Sequence, residues 1–307
     1  MSDLVQKFIT LDKSVRIISV NLEDAWDDSQ FEKNYHPLLA KLLGELTAAS
    51  VLLAANIKFE GSVVLQIQSE GPVSLLVVEC TSDFKIRSTI KQNQEYAIKD
   101  TDTFSSLLNF NGKGSFAVIL DPKDKSKGQQ PYQGIVPLLA DSVSDALRLY
   151  MKQSEQLETL LYLASEKKRS TGLLIQKLPY SGGLEISEEQ AQETWSNIQA
   201  LASTIDYEEM LEVSVSTLID RLFWEIQLLE YPSNTVIWYC PCSKEKVGDM
   251  LRMLGKSEVE SILSERDNIE VSCQFCGKKY NFDAVDSAQL FIDSSQSQIQ
   301  DNPKTEH

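Results

Sequence analysis

Four cysteines in two tight pairs constrain this chain more than any other feature. Cys240 and Cys242 form a C-x-C pair, and Cys273 and Cys276 form a C-x-x-C pair, with thirty residues between Cys242 and Cys273. Zinc takes four ligands at tetrahedral angles, and two short-spaced thiolate pairs supply them. The expected site is therefore one Zn2+ per chain held by Cys240, Cys242, Cys273 and Cys276. Gly277 follows the second pair and can take the left-handed conformation that closes a zinc knuckle. A module of residues 235–286 is too small to stabilise itself comfortably by apolar burial. Structural zinc is worth on the order of 10–16 kcal/mol at neutral pH, against a net domain stability of only about 5 kcal/mol, so losing the metal should unfold it. A thioredoxin-like reading of Cys273 and Cys276 lacks the βαβ context that motif needs. Cys80 stands alone at the end of an apolar strand and reads as a buried structural thiol.

Clustered thiols of this kind suit a reducing compartment. The N-terminus carries charge where a secretory signal needs an apolar run, and Lys41 and Glu45 interrupt the most apolar stretch, Leu38 to Ala55. That stretch is expected to be too short and too charged to span a bilayer, which places the protein in the cytoplasm. The formal net charge of −16 argues against nucleic acid or an anionic membrane as partner. Histidine is scarce: only His36 and His307 occur, which disfavours His-based catalysis and mixed Cys/His metal sites. His36 precedes Pro37 and reads as a residue flanking a helix start.

The fold class expected is α+β. Pro37 opens an apolar helix through Ala55, and extended patterns follow at Val63–Ile67, Val73–Cys80, Phe84–Ile90, Ser115–Leu120 and Gln133–Leu138. Ser142 looks like the cap of a helix through Met151, and Leu157–Ala164 and Thr171–Leu178 read as further strands. Composition shifts around Pro179–Gly183. From Tyr180 to Tyr239 there are eleven acidic residues and one basic residue, Arg221, a net of −10. Ser187 and Gln190 form a capping box, Asp206 offers another cap, and Leu218 to Leu229 mark an amphipathic helix ahead of Pro232. Such mutually repelling helices depend on docking their apolar faces elsewhere, which makes them candidates for conditional order. The expected division is an α+β core at 1–178, an acidic helical linker at 179–234, the zinc module at 235–286, and a C-terminal segment at 287–307 whose last part, Ser294 to His307, is a polar disordered tail.

Spacing alone leaves an inert zinc staple and a redox-active site both open. Lys244, Lys246, Lys278 and Lys279 lie beside the cysteines and favour thiolate character, hence sensitivity to oxidants. Each cysteine has a near neighbour, so Cys240–Cys242 and Cys273–Cys276 are disulfides that oxidation can form locally. Here the chain resembles the 33 kDa chaperonin family, the redox-regulated bacterial heat-shock holdases. The likeness rests on the two cysteine pairs at this separation and on Phe282-Asp-Ala-Val-Asp-Ser-Ala-Gln-Leu-Phe291. His36-Pro-Leu-Leu and Gly134-Ile-Val-Pro-Leu138 also fit. The resemblance covers nearly all of the chain except the polar tail. It implies a reduced, zinc-bound, inactive form and an oxidised form with the two neighbouring disulfides, in which zinc is expelled and the zinc module and linker unfold. It further implies ATP-independent holding of unfolding client proteins in a stress response, no enzymatic activity, and a homodimer when oxidised against a monomer when reduced. Trp195, Leu201, Leu222 and Phe223 are the residues expected to meet clients once uncovered.

Two other readings stand beside this one. A zinc-ribbon nucleic-acid or interaction module with purely structural zinc is disfavoured by charge: residues 240–286 hold seven basic and nine acidic residues. An enzyme in the first domain lacks any cluster of catalytic residues in the sequence.

Overall fold

The chain begins with two strands whose residues do not alternate apolar and polar, β1 (Leu4–Thr10) and β2 (Val15–Leu22). The sequence reading did not mark them, and their place explains why: β2 is sandwiched, with Val15 and Ile17 facing one apolar layer and Ile18, Val20 and Leu22 facing another. A strand covered on both faces shows a near-continuous apolar run instead of a period of two. The computed structural model describes residues 3–31, 33–124, 130–179 and 186–297, and it falls into two compact units, Met1–Tyr239 and Cys240–His307.

In the first unit, helices α1 (Asp24–Gln30) and α2 (Pro37–Asn56) follow. His36 caps α2 as expected, its Nδ1 accepting from the Leu38 amide, with Pro37 in the first turn. Strands β3 (Gly61–Gln68), β4 (Val73–Thr81) and β5 (Lys85–Gln92) precede a short helix α3 (Phe104–Leu108). Next come β6 (Ser115–Pro122), β7 (Tyr132–Pro137), α4 (Val143–Tyr150), β8 (Thr159–Glu166) and β9 (Arg169–Lys177). The acidic segment supplies α5 (Glu188–Ala202), α6 (Tyr207–Glu212) and α7 (Val215–Phe223), then three short strands: β10 (Leu228–Glu230), β11 (Asn234–Thr235) and β12 (Ile237–Trp238).

Two sheets result. One has the order β10-β1-β2-β9-β8, with β11 also on β1; the other runs β12-β5-β4-β3-β6-β7. Helix α2 packs against strands of both, so it is the central element of the main core. It is in fact long and apolar enough to cross a membrane, contrary to the sequence expectation, yet 78% of its apolar window is buried inside the protein. Gly44 marks its close approach to β8: a Cβ there would fall 1.9 Å from the Ser165 hydroxyl oxygen. Cys80 lies in this core, fully buried, and burial pushes its thiol far up.

The α+β class holds, with one correction in the acidic segment. The amphipathic helix expected through Leu229 stops at Phe223, and Leu228–Glu230 is strand. Strand β1 has open backbone groups along its edge, and pairing with β10 and β11 satisfies them. β12 then pairs in parallel with β5, two residues before Cys240. The composition break lies partly in residues 180–185, outside the described residues.

The second unit comprises α8 (Lys244–Leu254), α9 (Lys256–Glu265), the hairpin β13 (Ile269–Ser272) and β14 (Lys279–Phe282), and α10 (Ala284–Ser297). Among its described residues the buried apolar ones are Leu251, Val259, Ile269, Tyr280 and Phe282. Helix α10 takes in Ser294–Ser297, which the sequence reading assigned to a disordered tail; residues 298–307 lie outside the described residues.

Candidate metal centre

The two cysteine pairs sit on turns that end short elements. Cys240 and Cys242 lie between β12 and α8, whose N-terminus Ser243 caps by accepting from the Lys246 amide. Cys273 and Cys276 occupy the turn of the β13–β14 hairpin. There the Gly277 amide donates to the Cys273 carbonyl at 2.8 Å, and Gly277 has φ +73°, the left-handed conformation anticipated for the knuckle.

The hairpin register and the helix cap together bring all four sulfur atoms within 4.8 Å of one another. Cys240 Sγ lies 3.6 Å from Cys273 Sγ, and Cys242 Sγ lies 3.3 Å from Cys276 Sγ. Tetrahedral zinc with Zn–S bonds of about 2.3 Å needs sulfurs about 3.8 Å apart, so the cluster fits a four-thiolate ion site. All four cysteines are half-buried: reachable by a small oxidant, yet shielded on one side by the small apolar cluster. Both of these contacts run across the motifs, so proximity by itself does not select the neighbour pairs Cys240–Cys242 and Cys273–Cys276.

The electrostatics differ from those read in the sequence. Lys244 pairs with Asp286 at 2.9 Å and Lys279 with Glu270 at 2.9 Å, while Lys278 sits over the Tyr280 ring. Carboxylates thus offset two of the four lysine charges. What acts directly on a sulfur is Tyr280, whose hydroxyl donates to Cys242 Sγ at 3.1 Å. Burial pushes Cys242 up, but that hydroxyl and the neighbouring thiols outweigh it and bring the thiol down to about 7. Burial holds Cys240 up at about 12 and raises Cys276 as well. Sequence reasoning missed Tyr280; its signal was an aromatic hydroxyl on the strand leaving the knuckle.

The candidate client-contacting residues gather in a different place. Trp195, Leu222 and Phe223 are buried and Leu201 half-buried, in one apolar layer between α5–α7 and a face of the first sheet. The sheet contributes Phe8, Val15, Ile17, Leu173 and Ile175, which the sequence reading did not single out. Their signal was the run Leu173-Leu174-Ile175, in which Leu174 turns to the α2 core and its neighbours to the acidic helices. Trp195 Nε1 donates to Glu158 Oε2 at 2.9 Å, fixing α5 at the start of β8.

Comparison with known proteins agrees with this arrangement. The family model described as Hsp33 protein matches residues 3–283. The chain is 42% identical to the 33 kDa chaperonin of Methylobacillus flagellatus over 292 residues, covering 95% of each chain. It is 39% identical to the 33 kDa chaperonin of Neisseria gonorrhoeae, covering 94% of this chain and 92% of the relative. The crystal structure of the 33 kDa chaperonin (heat shock protein 33 homolog) of Thermotoga maritima has the same fold, with a TM-score of 0.80 at 20% identity, covering 96% of this chain and 100% of that one. A cysteine cluster of this spacing, a two-sheet core around one apolar helix, and a family match over nearly the whole length lead to one assignment: the chain belongs to the Hsp33 family.

Proposed function

We propose that this protein is a redox-regulated, ATP-independent chaperone of the cytoplasm, held inactive while its four cysteines bind zinc. The observation that carries the reading is the convergence of Cys240, Cys242, Cys273 and Cys276 within 4.8 Å in a unit with only a small apolar core. Zinc, when bound, holds four thiolates together and so supplies the stability that this core lacks.

Oxidation removes that support. Each disulfide forms from two thiolates and passes two electrons to hydrogen peroxide, which takes up two protons from solvent and leaves as two water molecules. The pairs are Cys240–Cys242 and Cys273–Cys276, and disulfide sulfur no longer holds the ion, so zinc leaves. The metal-dependent unit then unfolds, and the segment 179–234, which joins it to the core of residues 1–178, loses its anchored end. Ten net negative charges in that stretch favour its departure from the sheet. Departure uncovers two apolar surfaces together: Trp195, Leu201, Leu222 and Phe223 on the helices, and Phe8, Ile17, Leu173 and Ile175 on the sheet. Contiguous exposed apolar area of this kind is what an unfolding client protein binds. In this oxidised state the protein pairs into a homodimer, and reduction returns it to the monomer.

The test measures three quantities in one oxidation time course: zinc release, free thiols and suppression of client aggregation. All three should change together, with four thiols lost per zinc released. Client holding by the fully reduced, zinc-loaded protein, or zinc loss without any gain in holding, would sink the reading.

A further inference from the structure

We infer that Arg169 and Tyr207 form a latch that holds the acidic helices on the sheet by a means separate from the cysteine centre. The inference rests on the proposed release of these helices and names what resists it. Arg169 opens β9 and is 8% exposed, an unusual burial for a guanidinium. Its Nε donates to Asn21 Oδ1 on β2 at 2.6 Å, with the Glu23 carboxylate 3.9 Å away. Its Nη1 donates to the Leu211 carbonyl at 2.6 Å and its Nη2 to the Val213 carbonyl at 2.7 Å. Those two carbonyls lie at the C-terminal end of α6, where helix carbonyls have no partner within the helix and the dipole favours a cation. A core arginine therefore caps a helix of the linker.

The other end of α6 is held as well. The Tyr207 hydroxyl donates to the Ser165 carbonyl at 2.6 Å and accepts from the Ser165 amide at 3.1 Å. Ser165 is on β8, an edge strand, so the tyrosine satisfies backbone groups left open there. Lys41 Nζ, from α2, sits 4.3 Å from the centre of the Tyr207 ring. Helix α6 has six residues, of which Met210 alone is buried, and is far too short to persist undocked. Its neighbours α5 and α7 dock through broad apolar faces; α6 docks through polar contacts at both ends. Directional contacts of this kind break together once the geometry is lost, which suits a latch better than an apolar face does. Arg169 is a positioning residue for the linker, not for the cysteines.

The experiment is hydrogen exchange on full-length, reduced, zinc-loaded protein, comparing wild type with Arg169→Lys and Tyr207→Phe. A lysine keeps the charge but cannot span three acceptors. Protection of residues 207–223 should fall by about tenfold or more in Arg169→Lys, the loss expected for charge-assisted hydrogen bonds, and several-fold in Tyr207→Phe, whose hydrogen bonds to Ser165 are neutral. Zinc content and the protection of β3–β6 should stay at wild-type values. Unchanged protection of 207–223 in both variants would overturn the latch, and so would an equal loss across β1, β2, β8 and β9, since that marks Arg169 as a general sheet staple. Client holding is read in the same samples. A released linker without holding leaves the latch standing and counts against the proposed client surface. A docked linker in both variants, with holding by oxidised wild type, removes the latch and leaves the function.

Discussion

The core around α2 and the cysteine unit are built on opposite terms. The first surrounds one helix with two sheets and buries large side chains such as Trp26, Leu43, Leu46, Leu52 and Phe116 completely. The second has five buried apolar residues spread over two helices and one hairpin. Burial supplies stability in proportion to area, so the first unit has far more of it to draw on, and the proposed function has the second lean on a cross-link among its cysteines. The apolar layer under α5–α7 lies between these extremes: well packed, but covered by a strongly acidic segment. The proposed function turns this contrast into a durable part, a part conditional on four sulfurs, and a cover that follows the second.

Removing the metal should have the largest effect and separate the two parts most sharply. Cys273→Ser, or chelation of the reduced protein, is expected to abolish hydrogen-exchange protection over residues 240–291 while β3–β6 stay protected, because the lost support is on the order of 10–16 kcal/mol. Cys80→Ser should leave zinc content untouched, as that thiol is buried in the α2 core. Zinc loss in the Cys80 variant would mean that the ligands are misassigned.

A smaller change asks whether the acidic cover behaves like the core or like a detachable layer. Trp195→Ala should cost about 3–5 kcal/mol, the usual range for truncating a buried aromatic. If the layer is detachable, thermal unfolding splits into two transitions and only the first moves. One cooperative transition moving as a whole would make the layer part of the core.

The core also has a weak point of its own. Burial raises the Glu45 carboxyl from 4.5 to about 7, against a partial opposing pull from Lys41. The raised value in the folded state means that the neutral form favours folding. That contribution is fully present below pH 4.5 and is lost as pH rises through about 7. Glu45→Gln should therefore match wild type near pH 4 and exceed it by about 3 kcal/mol above pH 8, measured by urea unfolding at both values. Equal stability at high pH would show that Glu45 ionises in the fold without penalty.

The smallest expected effect concerns the cysteine centre itself. Tyr280→Phe removes the hydroxyl that donates to Cys242 Sγ. A thiolate freed of that donor is the better nucleophile, so peroxide-driven zinc release should quicken several-fold with zinc stoichiometry unchanged. A rate equal to wild type would confine Tyr280 to packing.

Much of this protein was legible before folding was considered. The cysteine spacing announced the four-sulfur cluster because turn geometry is local: each pair lies on one turn, and Gly277 at φ +73° closes the second. Caps were legible for the same reason. Ser142, Ser187 and Asp206 each accept from backbone amides one turn ahead, as their positions in the sequence indicated. Where neighbours distant in sequence decide the outcome, the signal failed. β2 hides its period because both its faces are covered, and Leu228–Glu230 leaves its helical pattern to fill the open edge of β1. The lysines near the cysteines promised a charge effect, but Asp286 and Glu270 take up two of them. Arg169 gave no sign at all, since its acceptors lie more than forty residues away in the chain. The four-cysteine cluster, the helix caps and the α+β class could be read from the residue order, because each depends on local geometry and periodicity. Which surface the acidic helices cover, and what holds them there, emerged with the folded chain, because docking is set by partners that the order of residues does not place side by side.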